Sequence, residues 1–217
     1  MKETLNRLKQ EKVIAIIRGI DSARILDLAQ AIRRGGIRCM EVTFDQSSQA
    51  GIDNTVRCIH LLSRVGDLCV GAGTVMNADQ VRLARAAGAG YIISPHVDEA
   101  VIVETKRMDM VSIPGALTPT EVVQAYSHGA DMVKVFPVNF FGPSYIKALK
   151  GPLSHIPLLA VGGVRPENCA EYLKMGCEGV GVGGNLVSPK LVEEKRFDEI
   201  TAVAQAYMAA LHPDGRE

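Results

Sequence analysis

Short runs of β-branched and other apolar residues alternate along the whole chain with stretches whose apolar positions recur at helical spacing. VIAIIR (13–18) reads as a strand, and the 22–34 region as a helix opened by Asp21 or Ser22 as cap. IRCMEVTF (37–44) leads to a helix over 49–63, LCVGAGT (68–74) to one from Asn77, and GYIISP (90–95) to one from Asp98. MVSIPG (110–115) precedes a helix near Pro119, DMVKVFP (131–137) one near Pro143, and PLLAVGG (157–163) one near Pro166. GVGVGG (179–184) and a helical pattern over 196–211 form the last unit. Proline recurs at helix starts, and Gly35–Gly36, Gly88, Gly129 and Gly176 fall where helices should stop.

Strands this uniformly apolar belong in a parallel sheet covered by helices. Eight strand–helix units without a composition break predict one α/β domain over 1–217, a (β/α)8 TIM barrel at 13–212 with residues 1–12 as a short capping helix. An open doubly wound sheet is the alternative, disfavoured because no G-x-G-x-x-G follows the first strand. Hydrophobic residues make up 47% of the 217, enough for one large core. Lys+Arg and Asp+Glu both number 24, and this balance argues against nucleic-acid or membrane-surface partners while allowing a small anionic substrate. The polar, amphipathic start, the lack of a membrane-length apolar run and five cysteines without a CxxC pair point to a reduced, cytoplasmic protein.

Polar residues interrupt these apolar strands late, where a barrel of this kind carries its active site. Arg18 closes the first strand, Glu41 and Thr43 lie late in the second, Thr74 follows the third, and Ser94–Pro95 ends the fourth. Lys134 lies within the sixth, and Gly162–Gly163 and Gly183–Gly184 end the seventh and eighth. Every neighbour of Lys134 in MVKVF is apolar. Desolvation disfavours an ammonium there and yields the neutral amine that attacks a carbonyl. The alternatives are a lysine that snorkels to water or pairs structurally with a carboxylate. Strand alternation puts Cys39, Glu41 and Thr43 on one side, so Glu41 can meet Lys134 inside the barrel, as an acid–base couple or as a structural ion pair. The two glycine pairs suit either a phosphate cradle or tight barrel turns. Arg18 can receive a substrate carboxylate or pair with Glu41. The five histidines show no metal-ligand spacing, so neither a metal nor a cofactor is expected.

VIAIIRG, MEVTF, GAGTV, ISPH, IPGALTPTE, VKVFPV, GPSYIKALKGP and AVGGV follow one another over about residues 13–187. In that combination and order the chain resembles the 2-keto-3-deoxy-6-phosphogluconate / 4-hydroxy-2-oxoglutarate aldolases, class I enzymes on a small TIM barrel. The resemblance implies a Schiff base on Lys134, with Glu41 as general acid/base. It implies that Thr74 and Arg18 hold the carboxylate of a pyruvyl group, that Pro95 and Phe136 line the pocket, and that the loops at Gly162–Gly163 and Gly183–Gly184 receive phosphate. It also implies a homotrimer. Three positions depart from the common pattern: Asp45 where some members have arginine, Val161 where many have threonine, and Asn185 where a serine often contacts phosphate. Arg18 is expected to stand in for the missing arginine, and Asn185 either to stand in for the serine or to leave phosphate binding weaker. The expected reaction is cleavage of a 2-keto acid to pyruvate and an aldehyde. A sugar-phosphate isomerase or epimerase, and a barrel that binds small anions without chemistry, are the rival readings.

Overall fold

The structure, a computed structural model, describes residues 1–213. Helix α1 (Lys2–Glu11) leads into β1 (Val13–Ile17), α2 (Ile25–Arg34), β2 (Cys39–Thr43), α3 (Gln49–Ser63), β3 (Cys69–Gly73) and α4 (Ala78–Ala87). Then come β4 (Tyr91–Ile93), α5 (Glu99–Arg107), β5 (Val111–Ile113), β6 (Gly115–Ala116), α6 (Pro119–Ser127) and β7 (Val133–Val135). The chain continues through a 3-10 turn (Val138–Phe140), α7 (Pro143–Lys150), β8 (Leu158–Val161), α8 (Cys169–Lys174), β9 (Gly179–Val182), α9 (Pro189–Glu193) and α10 (Phe197–Leu211).

All described strand pairs are parallel, in the order β5-β4-β3-β2-β1-β9-β8-β7-β6. The two ends of that order are halves of one segment, divided at Pro114, which has no N–H to give. Its first half pairs with β4 and its second with β7, and the Pro114 carbonyl accepts from Lys134 N at 2.9 Å. The ring therefore closes through the expected fifth strand, giving the TIM-like barrel.

Side chains sort by strand alternation. Met40 and Val42 point outward into the layer shared with the helices, where Leu28 and Ile32 of α2 and Ile200, Ala204 and Tyr207 of α10 also lie. Ile14, Cys39, Cys69, Tyr91, Ile93, Val111, Ile113, Met132, Leu159 and Val161 fill the inside, and α1 closes the amino-terminal end with Leu5 and Leu8. The helix caps follow the sequence closely. Ser48, Asn77 and Asp98 each accept a backbone N–H of the first turn, and Thr118 with Glu121 forms a full capping box before Pro119. Gly36, Gly88, Gly129 and Gly176 all adopt the left-handed backbone that ends a helix.

Two expectations about helix starts need correction. Neither Asp21 nor Ser22 caps α2, which begins at Ile25 after Arg24. The Asp21 carboxylate instead accepts Ala23 N at 2.7 Å and closes a turn ahead of the helix. Helix α8 begins at Cys169, with Pro166 in the turn before it. The short α9, opened by Pro189 at its first turn, was not anticipated. Among the described residues no helix is long and apolar enough to cross a membrane.

Candidate active site

Barrel register and two small residues make room for the acidic group. Glu41 faces inward from β2 and stands beside Gly71 of β3. Its carboxyl extends over Gly73, where a Cβ would fall 1.6 Å from Oε1. The ring of Tyr91 lies over Gly71, where a Cβ would fall 2.2 Å from Cε2. Glycines two apart on one strand are thus the clearance for larger side chains from both neighbouring strands. Glu41 is 2% exposed, and its Oε2 has no hydrogen-bond partner among the described residues. Burial pushes the carboxyl up to about 7 against the pull of the Lys134 and Arg18 cations. A carboxyl poised there can both give and take a proton at neutral pH.

Lys134 projects from β7, 7% exposed, with Nζ 5.2 Å from the centre of the Phe136 ring. Burial pulls its ammonium below the ordinary lysine range and Arg18 adds to this, while Glu41 opposes it. No described ion pair joins Glu41 to Lys134 or to Arg18, so the two structural pairings considered from sequence are not formed. Lys134 stands in register with Gly115, which packs on the Pro95 carbonyl so closely that a Cβ would lie 2.5 Å from it. This brings Pro95 beside the lysine strand.

Arg18, exposed at the end of β1, donates from Nη2 to the Thr74 hydroxyl at 3.3 Å. Thr74 has a φ of 53°, in the left-handed region, directly after β3. Thr43 is buried beside Gly73 in register. Gly162 and Gly163 have φ of 107° and 69°, conformations that glycine adopts without strain, and pack against Pro137 and Asn139. The Gly183 carbonyl accepts from Leu186 and Val187 N, and Gly184 is open on its Cβ side. Asn185 does not present its amide freely at this loop. Its Nδ2 donates to the Val164 carbonyl at 2.9 Å, bracing the eighth-strand loop against the seventh. Asp45 takes no part in the mouth's described polar contacts, its carboxylate accepting Ser47 N at 2.9 Å.

A buried amine on β7 and a buried, partly neutral carboxyl on β2, beside an arginine–threonine pair, suit covalent carbonyl chemistry. The family model described as "Aldolase: KDPG and KHG aldolase" matches residues 4–203. The chain belongs to that family. It is a lyase of the class I, Schiff-base type. A 2-dehydro-3-deoxy-6-phosphogalactonate aldolase of Escherichia coli (strain K12) is 35% identical over 206 residues, covering 92% of this chain and 96% of that protein. A 2-dehydro-3-deoxy-phosphogluconate aldolase of Treponema pallidum (strain Nichols) is 31% identical over 204 residues, covering 94% of this aldolase and 93% of its own length. Among solved structures, a native KDPGal structure superposes with a TM-score of 0.81 at 33% identity, covering 93% of this chain and 94% of the other. A Legionella pneumophila KDPG aldolase with pyruvate captured as a covalent carbinolamine intermediate gives a TM-score of 0.83 at 26% identity, covering 94% and 97%.

Sequence reasoning passed over three residues that shape the aldolase site: Gly73, Tyr91 and Gln46. The G-x-G alternation inside GAGTV was a usable signal for the first two, since glycines at strand period imply bulky neighbours. Gln46 reaches the Thr74 carbonyl at 2.8 Å from an exposed loop that carries no pattern.

Proposed function

We propose that this aldolase cleaves a 2-keto-3-deoxy-6-phospho sugar acid, of the phosphogluconate or phosphogalactonate type, or 4-hydroxy-2-oxoglutarate. The products are pyruvate and an aldehyde, glyceraldehyde 3-phosphate or glyoxylate respectively. The Lys134 amine adds to the C2 carbonyl, water leaves, and the iminium forms. Glu41 takes the proton of the C4 hydroxyl, the C3–C4 bond breaks, and its electron pair enters the iminium to give an enamine. Protonation at C3 and hydrolysis then release pyruvate and the free amine. Arg18 and Thr74 hold the carboxylate, and Thr43, Pro95 and Phe136 line the pocket. The Gly162–Gly163 and Gly183–Gly184 backbones receive phosphate, with Asn185 bracing the two loops.

The observation that carries this reading is the water-poor Lys134 amine sharing the barrel interior with the uncharged-leaning Glu41 carboxyl. Borohydride reduction in the presence of pyruvate tests it. A stable adduct on the Lys134 peptide, of pyruvate less water plus two hydrogens, is expected. An adduct on another lysine, or none, refutes the assignment of the Schiff base to Lys134. Comparing kcat/KM for the three keto acids ranks the substrates.

Two coarser features complete the proposal. Phe140 and Phe141 are 76% and 49% exposed side by side, an apolar surface that supports assembly into a homotrimer. Light scattering should return the mass of three chains. Five buried free thiols suit the reducing cytoplasm, which fractionation of expressing cells would test.

A further inference from the structure

One side chain ties the loop after β2 to the loop after β3. Gln46 Nε2 donates to the Thr74 carbonyl at 2.8 Å, and Gln46 Oε1 accepts from Gln80 Nε2 at 2.8 Å. Gln80 is buried in the first turn of α4, and its own oxygen accepts Met76 N at 2.8 Å. The two amides therefore clasp the 74–76 turn from both sides. The residue they hold is a threonine at φ 53°, a conformation that β-branched side chains rarely enter. Such a backbone persists only where its surroundings over-determine it, and it gathers at functional sites. Asp45 prepares the clasp. Its carboxylate turns back to Ser47 N at 2.9 Å and packs on Gly51, where a Cβ would lie 2.5 Å from Oδ2. That turn leaves the next residue, Gln46, facing Thr74.

We infer that Gln46 is a positioning residue, which by holding the Thr74 carbonyl fixes the Thr74 hydroxyl beside Arg18 for the carboxylate of the keto acid. The inference rests on the roles given to Arg18, Thr74 and Lys134 in the proposed function. Without the Gln46 donor, Thr74 relaxes towards ordinary backbone, and its hydroxyl leaves the place where it now meets Arg18 Nη2 at 3.3 Å. The amine of Lys134 is untouched. The expected signature is weaker saturation by keto acid with chemistry at saturation retained, a split that general loosening of the fold would not produce.

Borohydride trapping at varied pyruvate concentration reads both quantities. Gln46→Leu removes the clasp, whereas Gln46→Glu keeps its shape and the acceptor for Gln80 but sets a charged oxygen where the amide now donates to Thr74 and, at 3.3 Å, to Gln80 Oε1. Each should raise the half-saturating pyruvate about 3- to 10-fold, the range expected for one hydrogen bond, with the maximal trapping rate held within about 2-fold. In a Thr74→Ala background there is no hydroxyl to place, so Gln46→Leu should then shift half-saturation by less than about 2-fold. Unchanged half-saturation in both Gln46 variants, or an equal shift with and without the Thr74 hydroxyl, overturns the inference alone. If the parent protein forms no adduct, the Lys134 assignment fails and this inference falls with it.

Discussion

Replacing Glu41 by glutamine should make the protein more stable and inactive at once. The carboxyl is enclosed, with one oxygen lacking a partner among the described residues, and burial raises it from an ordinary 4.5 to about 7. In the unfolded chain it loses its proton near 4.5, whereas in the native state it keeps the proton to about 7. Between those pH values the native state binds more protons, so stability falls as pH rises. Below the lower value both states are protonated and the penalty vanishes. Above the upper value it is complete, and the displacement at about 1.4 kcal/mol per pH unit amounts to about 3 kcal/mol. Glutamine has the same shape and no charge to desolvate. Its amide also needs partners, so this figure is an upper bound. Urea unfolding followed by circular dichroism should place the variant above the parent at pH 8, and thermal midpoints should differ by up to roughly 6–12 °C. Towards pH 4.5 the gap should close. A variant less stable than the parent at pH 8, or a gap indifferent to pH, would refute the claim that the site holds its acid in surroundings hostile to charge.

Gly73→Ala places a methyl 1.6 Å from the present Oε1 position, so the Glu41 carboxyl must move by more than an ångström. Steady-state pyruvate release should show kcat about 100-fold lower while circular dichroism stays native. For the parent enzyme, kcat/KM should climb as Glu41 ionises and level off above about pH 7, and a flat profile from acid to neutral pH would remove Glu41 as the base. Tyr91→Phe deletes a buried hydroxyl with no described partner, so stability in urea should hold or rise by about 1 kcal/mol, and a large loss would reveal a bond not recognised above. Leu8→Ala empties part of the barrel floor and should cost about 2–4 kcal/mol in the same assay, with turnover per folded molecule preserved.

The fold was legible because each strand is short, apolar and bounded by a cap or a glycine, signals that act locally. Asn77 and Asp98 cap the helices that the sequence starts there. The burial of Lys134 and Glu41 inside the barrel was legible because a charge inside an apolar strand has few destinations. Asp21 misled because an aspartate before a helix can close a turn as readily as cap one. Gln46 and Asn185 were not legible in their working roles. Each acts on a backbone carbonyl of another loop, Thr74 and Val164 respectively, and such carbonyls carry no residue type to read. The same holds for Gly73, whose need for smallness is set by a side chain on the next strand.

Helix α1 gives the reaction a direction of traffic. With Leu5 and Leu8 packed across the floor, that end is closed, and the rim that carries Arg18 and Thr74 lies at the other. In the proposed mechanism the three-carbon remnant stays bonded to Lys134 while the aldehyde departs, and the water that later frees it cannot come through the closed floor. The covalent tie to the amine sets the order of release, and the closed-bottomed vessel sets only its direction.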